Sequence, residues 1–264
     1  QGDVMKIGVF DRTGGLDWFI DLAAVQGNSA REPVLVWDPA SDDLLLTYVA
    51  VDDALPEQLG SESVVEVVRI DGADGAVLDS LQWFTEDLTQ SPGPRMLGIA
   101  ACAETGIGTA LVGTRVFDAT AVSDIHGISF DLETFEVVEE RRLIPSTGVM
   151  RYEEAGVAFS PDGRILLIGG TFSAQSAGLW PVRADAFALP SFDPLFTDVH
   201  GNASKTNQVA TDFLGNGVGI VRNSGINSGE LVSGRVELFD LATGTSLAAY
   251  GSTFQAPNDD YPID

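Results

Sequence analysis

The feature that most constrains this chain is its self-similarity. A short apolar run ending in Asp, then a turn and a second run, occurs as KIGVFDRTGGLDWFIDL, EVVRIDGADGAVLDSLQWF, HGISFDLETFEVVEERRL, LWPVRADAFALPSF and RVELFDLATGTSLAAY. The marker residues are Asp11, Asp71, Asp131, Asp185 and Asp240, at spacings of 60, 60, 54 and 55. Between them recurs a second hairpin pattern: VLVWDPASDDLLLTYVA, GIAACAETGIGTALVGT, GVAFSPDGRILLIGGT and QVATDFLGNGVGIVRN. Each is an apolar run, a turn of Asp, Gly, Pro, Asn or Ser, and another apolar run, which is how a β-hairpin is written.

The unit is therefore four short strands in two successive hairpins, with no convincing helical period between them. Strands of this length in units of about 40–60 residues match the meander of a propeller blade better than a sandwich. The expected fold is all-β: a β-propeller of four-stranded antiparallel blades, with residues 1–264 as a single domain. The stretch VAFSPDGRILLIGG, together with a strand ending in Asp as in VELFDLATG, resembles the blade pattern of the degenerate WD-repeat, YVTN-type and secreted bacterial β-propeller-repeat families. What that resemblance implies is a fold and no particular activity.

In such blades the VAFSPDG-type strand is innermost and the strand after the marker Asp outermost, which places Gly156–Ser160 inside and Ala186–Phe196 at the rim. The chain opens on a third-strand type (Val4–Phe10) and a fourth (Leu16–Leu22), and closes after a fourth strand near Tyr250. Open sheet edges invite pairing. Five blades are therefore expected, one of them a composite in which Phe254 to Asp264 packs near Val4 to Leu22. The alternative is a fragment of a larger ring of six to eight blades.

Charge narrows the partners. The 39 acidic residues against 14 basic ones give a formal net charge of −25. Such a surface repels phosphate backbones and anionic headgroups, so neither nucleic acid nor membrane insertion is expected. No stretch approaches the roughly 18 apolar residues that span a bilayer. Gln1 in place of Met points to processing, and with the acidic surface to a secreted, extracellular or cell-surface protein.

Catalytic and metal chemistry find little support. Cys102 lies in the apolar run LGIAACA and reads as core. His126 reads as a strand residue and His200 as a loop residue, without the clustered donors that zinc needs. No cofactor is expected. Calcium at the acidic turns DGADG (Asp71 to Gly75), DPASDD (Asp38 to Asp43) and NDDYPID is weighed against ordinary turn chemistry, which uses the same residues. Asp38 resembles the Asp-Pro of some five-bladed glycosidases, but at the wrong end of its strand.

Two readings stay open. One is a non-catalytic extracellular module, a protein-interaction or assembly subunit or a carbohydrate binder; the other is a hydrolase or lyase with carboxylates at the central channel. Trp18 and Trp83 in outer strands are rim aromatics or packing between blades. No catalytic residue is assigned. Residues just before the inner strands should ring the channel mouth: Arg31, Glu32, Arg95, Tyr152, Glu153, Glu154 and Asn207. Their guanidinium, carboxylate, phenol and amide groups suit a sugar or a short peptide.

Overall fold

The computed structural model describes residues 6–10, 12–21, 29–51, 64–83, 95–115, 122–144, 150–174, 180–203, 206–215, 217–227 and 231–255. The chain divides into two compact units, Gln1–Ala119 with Ile125–Arg142, and Thr120–Asp124 with Leu143–Asp264. Among the described residues all regular structure is β, and no helix is long and apolar enough to cross a membrane.

The first unit opens with an antiparallel pair, β1 (Lys6–Phe10) and β2 (Leu16–Asp21). Sheet one follows in chain order: β3 (Ser29–Asp38), β4 (Asp43–Val51), β5 (Val64–Ile70) and β6 (Val77–Trp83). Sheet two is β7 (Arg95–Cys102), β8 (Ile107–Arg115), β9 (Val122–Asp131) and β10 (Val137–Ile144). The second unit holds sheet three, β11 (Met150–Phe159), β12 (Ile165–Ala174), β13 (Trp180–Ala188) and β14 (Asp193–Ala203). Sheet four is β15 (Thr206–Phe213), β16 (Val218–Asn227), β17 (Leu231–Asp240) and β18 (Ser246–Gln255). All four are meanders, the arrangement expected from paired hairpins.

Packing between sheets explains the unbroken apolar runs. In β4, Leu44, Leu46, Tyr48 and Ala50 face the β1–β2 pair, where they meet Trp18 and Ile20. The alternate residues Leu45 and Val49 face sheet two, where they meet Ile99, Val112, Ile128 and Phe130. Side chains alternate along a strand, so a strand covered on both faces must be apolar throughout. In the second unit, Leu167, Ala184 and Ala186 of sheet three meet Phe239 of sheet four, and Phe196 stacks on Phe239 at 5.8 Å.

The turns after the third strands are built on the marker carboxylates. Asp71 Oδ1 accepts the Ala73 N–H at 2.7 Å, Asp131 Oδ1 those of Glu133 and Thr134 at 2.8 Å, and Asp240 Oδ1 those of Ala242 and Thr243 at 2.9 and 3.0 Å. The fourth residue of each turn donates its N–H back to the Asp carbonyl and has positive φ: Gly75, Phe135 and Gly244. Asp11 lies outside the described residues, between β1 and β2.

Asp185 departs from the expected series. It lies within β13, buried, and its carboxylate takes Arg183 Nε at 2.6 Å and the Thr197 hydroxyl at 2.6 Å. The place of the marker belongs to Ala188, opposite Asp193, with Phe192 at φ 54° where the other turns have Gly75, Phe135 and Gly244. The outer strand of sheet three accordingly starts at Asp193, not Ala186.

Two further expectations change and one alternative is decided. His200 sits in β14 opposite Val182, not in a loop. Trp18 and Trp83 are 8% and 5% exposed, so of the two readings it is packing between sheets that holds. The last outer strand runs past Tyr250 to Gln255, with Phe254 opposite Val232, so the residues expected to double back begin no earlier than 256, outside the described residues. Cys102 is buried and His126 is a buried strand residue, as read from the sequence.

Candidate functional site

Each inner strand starts with polar residues and each carries one irregularity there. The ladder of β3 with β4 slips between Arg31 and Val34, and that of β7 with β8 between Met96 and Gly98. In β11 the slip falls between Tyr152 and Glu154, and in β15 between Thr206 and Gln208. A β-bulge puts two residues opposite one, bends the strand and re-aims the side chain at the extra position. In the second unit the extra residues are Glu153 and Asn207.

Counting residues along the second strand from the closing pair of each hairpin, Arg31 opposite Val49 and Arg95 opposite Gly113 occupy the same place one sheet apart, six residues beyond Asp43 and Ile107. Glu154 opposite Thr171 and Gln208 opposite Ser224 share a place in the second unit, five residues beyond Leu166 and Gly219. Because β3 lies beside β7, the first unit brings Arg31 and Glu32 onto the strand neighbouring Arg95. Because β11 lies beside β15, the second brings Tyr152, Glu153 and Glu154 next to Asn207. Gln208, which shares Glu154's register place, is the residue that sequence reading missed.

One of these bulges had a sequence signal. Pro33 has no N–H for the ladder, and proline inside a sheet is confined to edges, strand starts and bulges. Nothing local marks Leu97, Glu153 or Asn207 as bulge sites.

The opposite ends of the inner strands are committed to structure. Asp38 is buried, with Oδ1 accepting the Ala40 N–H at 3.0 Å and Oδ2 the Ser41 hydroxyl at 2.8 Å. Glu66, buried in the middle of sheet one, accepts the Tyr48 hydroxyl and, at 2.5 Å, Gln82 Nε2. Both carboxylates are thus held by their own sheet or turn. Among the described residues no three His, Cys, Asp or Glu side chains cluster as metal ligands would.

Three solved structures share this arrangement of strands. A Dos1 propeller is 12% identical, covering 92% of this chain and 52% of that one, with a TM-score of 0.52. The chain has a β-propeller fold. The Hadza microbial sialidase Hz136 is 14% identical over 82% of this chain and 45% of that one, with a TM-score of 0.52. An ancestral GH74 enzyme is 13% identical over 91% of this chain and 29% of that one, with a TM-score of 0.50. The chain spans about half the length of the first two. At these identities the likeness is one of fold, so the sheets described above are propeller blades. No family model matches the chain, and no curated protein sequence does.

Proposed function

We propose that this chain is a non-catalytic extracellular propeller module that holds a glycan or a protein partner at the starts of its inner strands. The observation that carries the reading is a bulge near the start of each of the four inner strands, beside Arg31, Glu32 and Arg95 in one unit and at Glu153 and Asn207 in the other. A ladder interrupted near the start of every inner strand is costly to keep unless the side chains it re-aims are used. The acidic balance of −25 supports an extracellular setting and a partner that is neither nucleic acid nor a bare anionic membrane.

Retention on glycan and peptide arrays tests it. Replacing Arg31, Arg95 and Glu154 together by Ala removes a charged residue near the start of each of three inner strands, and should abolish whatever binding the parent shows. Unchanged binding by the triple variant would move the site elsewhere on the blades.

The second reading is a propeller glycosidase, favoured by the fold shared with a sialidase and a GH74 enzyme. Glycoside hydrolysis needs two opposed carboxyl groups, one kept protonated. Glu153 and Glu154 are the carboxylates at the inner-strand level in the second unit. Release of fluorophore from a panel of aryl glycosides, lost in Glu153→Gln or Glu154→Gln, would establish this reading over the first.

A further inference from the structure

The outer strand of a blade leaves one row of main-chain donors and acceptors unpaired. In sheet two that strand is β10, which ends the order β10-β9-β8-β7 with no described strand on its far side. Its sequence is VVEERRLI, and Val137 and Val138 are 41% and 54% exposed. The other outer strands, β2, β6, β14 and β18, hold no Lys or Arg. Arg141 and Arg142 are also the one adjacent pair of basic residues in a sequence with 39 acidic residues and 14 basic.

Charge on an edge strand ordinarily blocks pairing, because a second copy meets its own sign. The order on β10 does the reverse. Side chains alternate along a strand, so Val137, Glu139, Arg141 and Leu143 share one face. An antiparallel copy presents the same four residues in reverse order. A two-fold axis normal to the sheet and centred on Glu140 sets Glu139 opposite the partner's Arg141 and Val137 opposite the partner's Leu143, each pair formed twice. On the other face the two Glu140 side chains meet at the axis, with Arg142 of each copy diagonal to the partner's Glu140. Centring the axis on Arg141 would set Val138 against Ile144, which is 4% exposed and already covered, and Glu139 against Leu143.

We propose that β10 pairs antiparallel with β10 of a second copy of this chain, joining two propellers edge to edge across a two-fold axis. The order of charges identifies the occupant. An antiparallel partner for Glu139 and Arg141 must carry an acidic residue two places before a basic one, and among the described strands only β10 does. Main-chain pairing supplies affinity, and the opposed charges and apolar pairs fix the register. The contact uses none of the residues at the inner-strand starts, so it stands or falls apart from the binding reading.

Sedimentation equilibrium of the full chain tests it, in about 0.15 M sodium chloride so that general repulsion is screened beyond about 8 Å. The parent should show a monomer–dimer equilibrium. Glu139→Arg and Arg141→Glu should each weaken the dimer by about tenfold or more, since each turns two attractive pairs into two repulsive ones. An equimolar mixture of the two variants should dimerise again, as should the double swap Glu139→Arg/Arg141→Glu, because both restore opposite charges across the axis. If either reversal loses its circular dichroism spectrum, Glu139→Gln and Arg141→Gln replace the pair, each again weakening the dimer. A parent that stays monomeric at millimolar concentration would overturn the proposal. So would a dimer that the single variants retain, or a mixture that associates no more than its components.

Discussion

At the scale of single residues, the turn after each third strand shows how one backbone need is met by different side chains. The fourth turn position requires φ near +55 to +80°, and Gly75 and Gly244 adopt it without a Cβ penalty. Phe135 and Phe192 adopt it too. A left-handed conformation costs a non-glycine residue about 1–2 kcal/mol, while burying a Phe side chain contributes about 1.5–3 kcal/mol. Phe135 is buried 5.5 Å from Phe130, so packing offsets the strain. The carboxylate that opens this turn makes a pH prediction. Asp131 is held below the usual carboxylate range, first by the backbone N–H groups of Thr134 and Glu133. A depressed folded pKa adds stability above the unfolded pKa, near 4, and that stability is lost as pH falls through the folded value. Asp131→Asn keeps an acceptor but cannot titrate. Its melting temperature should therefore fall less steeply than the parent's below about pH 4, and parallel curves would remove Asp131 from the acid response.

At the scale of elements, position within a blade decides what a substitution costs. Leu45 in β4 is wholly buried between blades, so Leu45→Ala should destabilise by about 2–5 kcal/mol in chemical denaturation. Leu78, the extra residue in the ladder of β5 with β6, stands exposed, as do Val138, Leu195 and Leu247 at the same place in their blades. Leu78→Ser should change stability by no more than about 0.5 kcal/mol. If the two costs proved similar, the assignment of inner and outer strands would be wrong. Asp185 illustrates why one element was misread. Its stretch ADAFALPSF supplies an Asp near the expected spacing, but that carboxylate is spent on Arg183, two residues earlier on the same face of β13. An Arg and an Asp at i and i+2 in an apolar strand was the available sign of a buried pair.

At the scale of the whole molecule, charge and turn chemistry set the response to ions. A formal charge of −25 repels itself, and salt screens that repulsion, so the melting temperature should rise between low and moderate sodium chloride. A flat or falling dependence would mean that the acidic surface is locally balanced. Calcium separates two uses of the same residues. Asp38, Asp71, Asp131 and Asp240 all accept hydrogen bonds from their own turns, so chelation with EDTA should leave the melting temperature unmoved. A drop that calcium restores would make these turns metal sites instead.

The repeat, the all-β class and the paired hairpins were determined by sequence alone, because two-residue alternation, turn residues and Asp caps are local signals that each blade writes in its own letters. Asp71, Asp131 and Asp240 were legible for that reason, as was Cys102 as a core residue. The candidate site was legible only as polar residues at the starts of inner strands. Tertiary structure decided that Arg31 matches Arg95 in register and that Glu154 matches Gln208, since register belongs to a pair of strands and a one-residue slip cannot be seen in either strand alone. It also decided that Trp18 and Trp83 are buried while Leu35 and Trp37 are open. Those four side chains are all apolar in sequence, and what distinguishes them is whether a neighbouring strand lies against the face on which each one stands.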